Sequence, residues 1–99
     1  MSLRDEILKA AGVPRGTSTI AGQQVHIRGL TTAEELAFLK DGVGGTAPID
    51  VCAACLLDDK GKPLFRRADV ESLAAGTLKQ AYMDILALTF PAADLEKNS

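Results

Sequence analysis

The stretch QVHIRGLTTAEE, residues 24–35, decides the fold, because it changes from a strand pattern to a helix pattern within twelve residues. Its first half alternates polar and apolar side chains and puts Val25 and Ile27 on one face, which is typical of a half-buried strand. Gly29 ends this alternation, and the second half carries threonines and glutamates at the spacing that begins a helix. The sequence therefore predicts an α+β chain.

A capping box opens the helical half of this stretch. Thr31 or Thr32 supplies the hydroxyl, and Glu34 or Glu35, three residues further on, supplies the carboxylate. This pair of side chains satisfies backbone N–H groups that the first turn of a helix leaves free. We expect the helix to run to about Lys40.

Two elements are predicted upstream of this stretch. Residues 17–28 predict a β-hairpin that turns around residues 21–23. An isolated hairpin is barely stable in water, so this one must pack on helices or pair with another chain. Ahead of it, residues 2–11 predict a short surface helix that Ser2 caps and Gly12 ends.

The segment after the capped helix begins with a glycine-rich loop. Residues 41–48 contain three glycines, and we expect them to form a flexible connection. Residues 49–57 are apolar almost throughout, a pattern that fits either a buried strand or a buried helix. The alanines in the middle of this run and Pro48 at its start favour a helix.

The last third of the chain predicts two more helices. Residues 58–63 predict a tight polar turn, and a short helix after it ends at Gly76. Thr77 and Gln80 have the spacing of a second capping box, which predicts a final helix over residues 78–90.

These elements predict a mostly helical α+β fold, with a short N-terminal helix, one β-hairpin and then three to four helices. With 99 residues, the chain has room for a single hydrophobic core, so we expect one domain over residues 1–99. The end of the chain, residues 92–99, follows a proline and is predicted to fray.

The composition argues against several classes of function. A net charge of −2 without a basic block argues against binding nucleic acid by phosphate neutralisation, and four aromatic residues argue against base stacking. The longest apolar run, residues 51–57, is too short to span a bilayer. The first residues lack the apolar core of a signal peptide, so we expect a cytoplasmic location.

The final helix carries more apolar surface than a core-facing stripe needs, because its apolar arc spans on the order of 200°. Met83, Leu86 and Phe90 form a second apolar line beside the predicted core line. This line is either buried by the hairpin and the first helix or left free as a surface for a partner or for self-association. We predict a binding surface there, with Leu3 and Ile7 of the first helix as a second patch.

The motif formed by Cys52 and Cys55 has the CxxC spacing of thiol-redox sites and of half a zinc site. A structural zinc site needs two further ligands, and His26 is the only histidine. In an apolar stretch the two thiols are expected to be core residues of low reactivity. We therefore predict no metal, no cofactor and no catalytic residue.

Three ordered segments resemble one protein family. They are VHIRGLTTAEE (residues 25–35), AACLLDDKGKPLF (53–65) and ADVESL (68–73). The tail assembly chaperones of long-tailed, siphovirus-type phages and prophages show a V-R-G-L-T-x-x-E junction, a D-x-x-G-K-P-L-F turn and a D-V-x-x-L helix in this order. The similarity extends over most of the chain.

This resemblance implies a non-enzymatic protein of phage or prophage tail assembly. Such a protein binds the tape-measure protein and helps to recruit tail-tube subunits in the cytoplasm of the bacterial host, and it is absent from the mature virion. Two alternatives stay open: a structural tail-completion or connector component of the virion, and a small CxxC thiol-redox or metal-binding protein. Self-association into a homo-oligomer is also left open.

Overall fold

Five helices and three short strands make up the computed structural model, which describes residues 2–91. The combination of helices with an antiparallel sheet confirms the predicted α+β class. The elements are α1 (Leu3–Ala10), β1 (Arg15–Ile20), β2 (Gln23–Arg28), α2 (Thr32–Phe38), α3 (Ala47–Cys55), β3 (Leu56–Leu57), α4 (Arg67–Ser72) and α5 (Lys79–Thr89). The predicted frayed tail, residues 92–99, lies outside the described residues.

The hairpin pairs β1 with β2 in the predicted way, although β1 begins at Arg15, two residues earlier than expected. Ala21 and Gly22 form the two-residue turn between the strands, with φ values of 50° and 80°. A type I′ turn requires positive φ at both positions because its twist matches that of the strands it joins. Glycine adopts this conformation without strain, whereas in Ala21 it is strained because the Cβ atom comes close to the backbone.

A third strand extends the hairpin into an antiparallel sheet of order β1-β2-β3. Leu56 lies opposite Ile27, and Leu57 lies opposite His26. The predicted helix over residues 49–57 is therefore wrong at its C-terminal end, where Leu56 and Leu57 form a strand. The helix stops at Cys55 because the next two residues pair with β2, and a two-residue strand is too short to show any periodicity.

The hydrophobic core lies between the sheet and the helices. Helix α5 packs against β1 and β2 on one side and against α3 on another, and α3 also contacts α2 and α4. Burying apolar side chains at this junction is the dominant favourable term in folding. The largest fully buried side chains are Ile27, Val51, Cys52, Cys55, Leu56 and Ile85.

The helix starts match the sequence predictions in part. The Ser2 hydroxyl caps α1 by accepting the Asp5 N–H, and Thr31 and Glu34 form the predicted capping box of α2. The predicted Thr77 box is absent, because α5 begins after Leu78 without a side-chain cap. Instead, the Thr77 N–H donates to the Ala74 carbonyl oxygen, which places Thr77 inside the preceding turn.

The predicted loop over residues 41–48 is shorter than expected, since α3 already begins at Ala47. Pro48 then falls in the first turn of this helix. Proline is well tolerated there, because the N–H that it lacks has no partner within the helix.

Candidate protein-binding groove

The three residues of the predicted apolar line on α5 have different environments. Met83 and Phe90 are 53% and 38% exposed. Leu86, between them, is half-buried and packs against the core. Only part of the predicted line is therefore accessible.

Phe90 forms one wall of a groove that also involves α2 and the loop after it. The groove has a volume of about 480 Å³. Two of its apolar lining residues are largely accessible, since Leu36 is 69% exposed and Val43 is 57% exposed. The lining residues are Glu35, Leu36, Leu39, Lys40, Gly42, Val43 and Phe90.

Two hydrogen bonds hold the loop side of the groove in place. The Gly42 N–H donates to the Leu39 carbonyl oxygen at 3.0 Å, and Gly42 has a φ of 96°, which turns the chain away from the end of α2. The phenolic hydroxyl of Tyr82 then donates to the Val43 carbonyl oxygen at 2.6 Å. Because Tyr82 belongs to α5 and its ring packs in the core, this bond ties the loop to the helix.

The groove combines an apolar floor with one charge of each sign. Glu35 and Lys40 are its two charged lining residues. Grooves of this kind accept amphipathic helices, whose apolar face covers the floor while polar side chains meet the rim. Its chemistry suits the binding of a polypeptide segment.

The second predicted patch lies on α1, which has no buried residue. Leu3 and Ile7 are both exposed, and so is Leu8. The structure does not bring this patch into the groove, so the predicted binding residues occupy two separate places.

A second apolar cavity lies between the start of α3, α4 and the start of α5. It has a volume of about 430 Å³, and Ile49, Leu73, Leu78 and Tyr82 contribute to its lining. Lys79 is its charged lining residue. Sequence reasoning did not identify this cavity, because its walls come from three elements whose packing no local pattern specifies.

Sequence reasoning also missed Leu36 and Val43 as groove residues. A signal for Leu36 was present, since at 100° per residue it lies about 160° around α2 from Phe38, which packs against the core. A large apolar residue opposite the buried side of a short helix points to a surface contact. Val43 gave no such signal, because it lies in a loop without periodicity.

The two cysteines lie three residues apart on α3, and both are buried free thiols. Burial raises the pKa of Cys52 to about 11 and that of Cys55 to about 12. The Cys55 thiol also lies 3.8 Å from the Gly29 carbonyl oxygen, to which it donates. Both positions therefore favour the protonated, unreactive form near neutral pH.

Potential ligands for a metal ion do not converge within residues 2–91. No group of three or more histidine, cysteine or acidic side chains is close enough there to hold an ion. His26 is exposed on β2, and its Nε2 atom lies 3.8 Å from a carboxylate oxygen of Asp59.

Comparison with known proteins returned no similarity on which to base an assignment. No family model, no curated protein and no solved structure matches the chain. In the part of the chain that the structure describes, none of the helices is long and apolar enough to cross a membrane.

Proposed function

We propose that this chain is a non-enzymatic tail assembly chaperone of a siphovirus-type phage or prophage. It binds the tape-measure protein and helps to recruit tail-tube subunits during tail morphogenesis. It acts in the cytoplasm of the bacterial host and is not retained in the mature virion. The three ordered sequence segments that resemble this family support the proposal.

The observation that carries the proposal is the exposed groove formed by Leu36, Val43 and Phe90. A tape-measure protein is long and helical, and it must be kept in solution until tube subunits surround it. A helper for such a protein needs an accessible apolar surface that accepts one face of a helix. The groove supplies this surface, and Met83 is exposed on the same side of α5 as Phe90.

The test is binding of a purified tape-measure fragment, measured by calorimetry and co-purification. The variant Met83→Ser/Phe90→Ser removes two accessible apolar side chains, and we expect it to weaken binding at least about tenfold while the circular dichroism spectrum stays unchanged. Unfolding of this variant would show instead that the two side chains belong to the core.

Leu64→Ser is the matched control. Leu64 has the same exposed fraction as Phe90, 38%, but does not line the groove. We expect this variant to bind as the unmodified chain does. Equal loss in both variants, or absence of binding by the unmodified chain, contradicts the proposal, and detection of the protein in purified virions supports a structural tail component.

The position of the coding gene provides an independent test. We expect it to lie just upstream of a gene for a very long protein rich in heptad repeats. A neighbourhood without tail genes would remove the support that the family resemblance gives.

A further inference from the structure

We propose that α1 of one copy of this chain occupies the groove of a second copy, and that the exchange is reciprocal, so that the chain forms a dimer. Within residues 2–91 the structure contains both halves of this contact: an amphipathic helix that no other described residue buries and a groove that suits one. The dimer covers the same groove that the proposed function offers to a partner, so the two occupants compete for it, but the test of the dimer concerns the chain alone and needs no other protein.

Helix α1 has an apolar stripe without a binding partner in the described structure. Leu3 and Ile7 lie on the same side of the helix and are 71% and 53% exposed. The helix has eight residues, and isolated helices shorter than about 12 residues are marginal in water. A helix of this length gains most of its stability from packing, which predicts that its stripe contacts another surface.

The fold keeps α1 outside the groove of its own chain. Pro14, at the end of the connection to β1, is fixed because its carbonyl oxygen accepts the Gly29 N–H at 2.9 Å. Every residue from 2 to 12 is exposed, while Leu36 and Val43 remain open to solvent. The contact is therefore expected between two chains.

The charges on the two surfaces are complementary. At 100° per residue, Arg4 and Glu6 flank the apolar stripe of α1 on opposite sides. The groove carries one acidic and one basic lining residue, Glu35 and Lys40. The arrangement that matches opposite signs places Glu6 beside Lys40 and Arg4 beside Glu35.

Reciprocity is needed because one short helix covers little area. Specific interfaces bury on the order of 1,200–2,000 Å² in total, more than a single helix of two turns provides. In a dimer with twofold symmetry the same contact occurs twice, since α1 of each chain enters the groove of the other. The predicted dimer is therefore weak and dissociates on dilution.

Sedimentation of the full chain over a range of concentrations tests this proposal. We expect the unmodified chain to approach twice the mass of one chain as concentration rises. Leu3→Ser/Ile7→Ser should raise the dissociation constant at least about tenfold. Leu8→Ser is the control, because Leu8 is 59% exposed on the same helix but lies about 100° around it from Ile7, and it should leave the dimer intact.

A charge exchange tests which surfaces meet. Lys40→Glu and Glu6→Lys should each weaken the dimer by placing like charges together, and the two changes combined should restore it. A chain that is monomeric at all concentrations overturns the proposal. A dimer that survives Leu3→Ser/Ile7→Ser, or a combined charge variant no tighter than the single variants, overturns it as well.

Discussion

Arg28 and Glu34 are joined by two parallel hydrogen bonds, in which the guanidinium nitrogens donate to the two carboxylate oxygens at 2.7 and 2.8 Å. Paired bonds of this kind are among the strongest polar contacts in proteins. Glu34 also accepts the Thr31 N–H at 3.0 Å, so one carboxylate joins the end of β2 to the start of α2. The hydrogen bonds from Arg28 lower the pKa of Glu34 to about 2.

This pair predicts a loss of stability in acid. A carboxylate with a lowered pKa in the folded chain stabilises the fold above its ordinary pKa of 4.5, and this contribution is lost as pH falls towards 2. Glu34→Gln should therefore lower the free energy of unfolding at pH 7 by on the order of 1–3 kcal/mol and flatten its decline in acid. Urea denaturation at several pH values measures both effects.

Glu71→Gln is the control for this prediction. Glu71 forms an ion pair with Arg67, but about half of each side chain is exposed. Exposed pairs contribute roughly 0–1 kcal/mol, so this variant should remain close to the unmodified chain. Identical pH profiles for Glu34→Gln and the unmodified chain would show that the Arg28 pair adds no acid sensitivity.

The bond between Tyr82 and Val43 predicts that a single hydroxyl orders the groove loop. Tyr82→Phe keeps the ring in the core but removes the donor to the Val43 carbonyl oxygen. We expect a loss of about 0.5–1.5 kcal/mol in stability and faster hydrogen exchange at the Gly42 and Ala47 amides, which are hydrogen-bonded within this loop. Unchanged exchange at both amides contradicts a role for the hydroxyl.

Buried cysteines predict slow thiol chemistry. With pKa values of about 11 and 12, Cys52 and Cys55 should react with an aromatic disulfide reagent at pH 8 at least about a hundredfold more slowly than in urea. Both thiols should become reactive together once the chain unfolds. Rapid reaction of the native pair, or zinc retained after purification, would support the thiol-redox or metal-binding alternative.

The contact between β1 and α5 predicts that removal of a buried hydroxyl destabilises the fold. Ser18 is buried, and its hydroxyl donates to an Asp84 carboxylate oxygen at 2.6 Å. Ser18→Ala should lower the free energy of unfolding by about 1–3 kcal/mol, because the lost hydrogen bond has a charged acceptor. The melting temperature should fall with it. Thr19→Ala is the control on the exposed side of the same strand. An equal loss of stability in both variants would contradict a stabilising role for the hydrogen bond between Ser18 and Asp84.

Features that depend on neighbouring residues in the sequence could be predicted. The Thr31 and Glu34 capping box and the turn at Gly22 follow from side chains within a few positions of each other. The pairing of β3 with β2 could not be predicted, because residues about thirty positions apart meet there and only two residues take part. The free energy of this strand pairing depends on how the whole chain packs.

The same limit applies to the candidate site. Helical spacing on α5 was enough to single out Phe90 as an exposed apolar residue, but not to show what lies beside it. Leu36, Val43 and Phe90 come from a helix, a loop and the end of another helix, and only the packed core brings them together. The half-burial of Leu86 likewise depends on neighbours that the pattern of α5 does not reveal.

The position of Phe90 has a consequence for translation. Leu36 and Val43 leave the ribosome well before α5, and the wall that Phe90 supplies cannot exist until that last helix has been made and has packed. A nascent chain therefore has no finished groove to offer. Binding through this surface begins only after synthesis has passed Phe90.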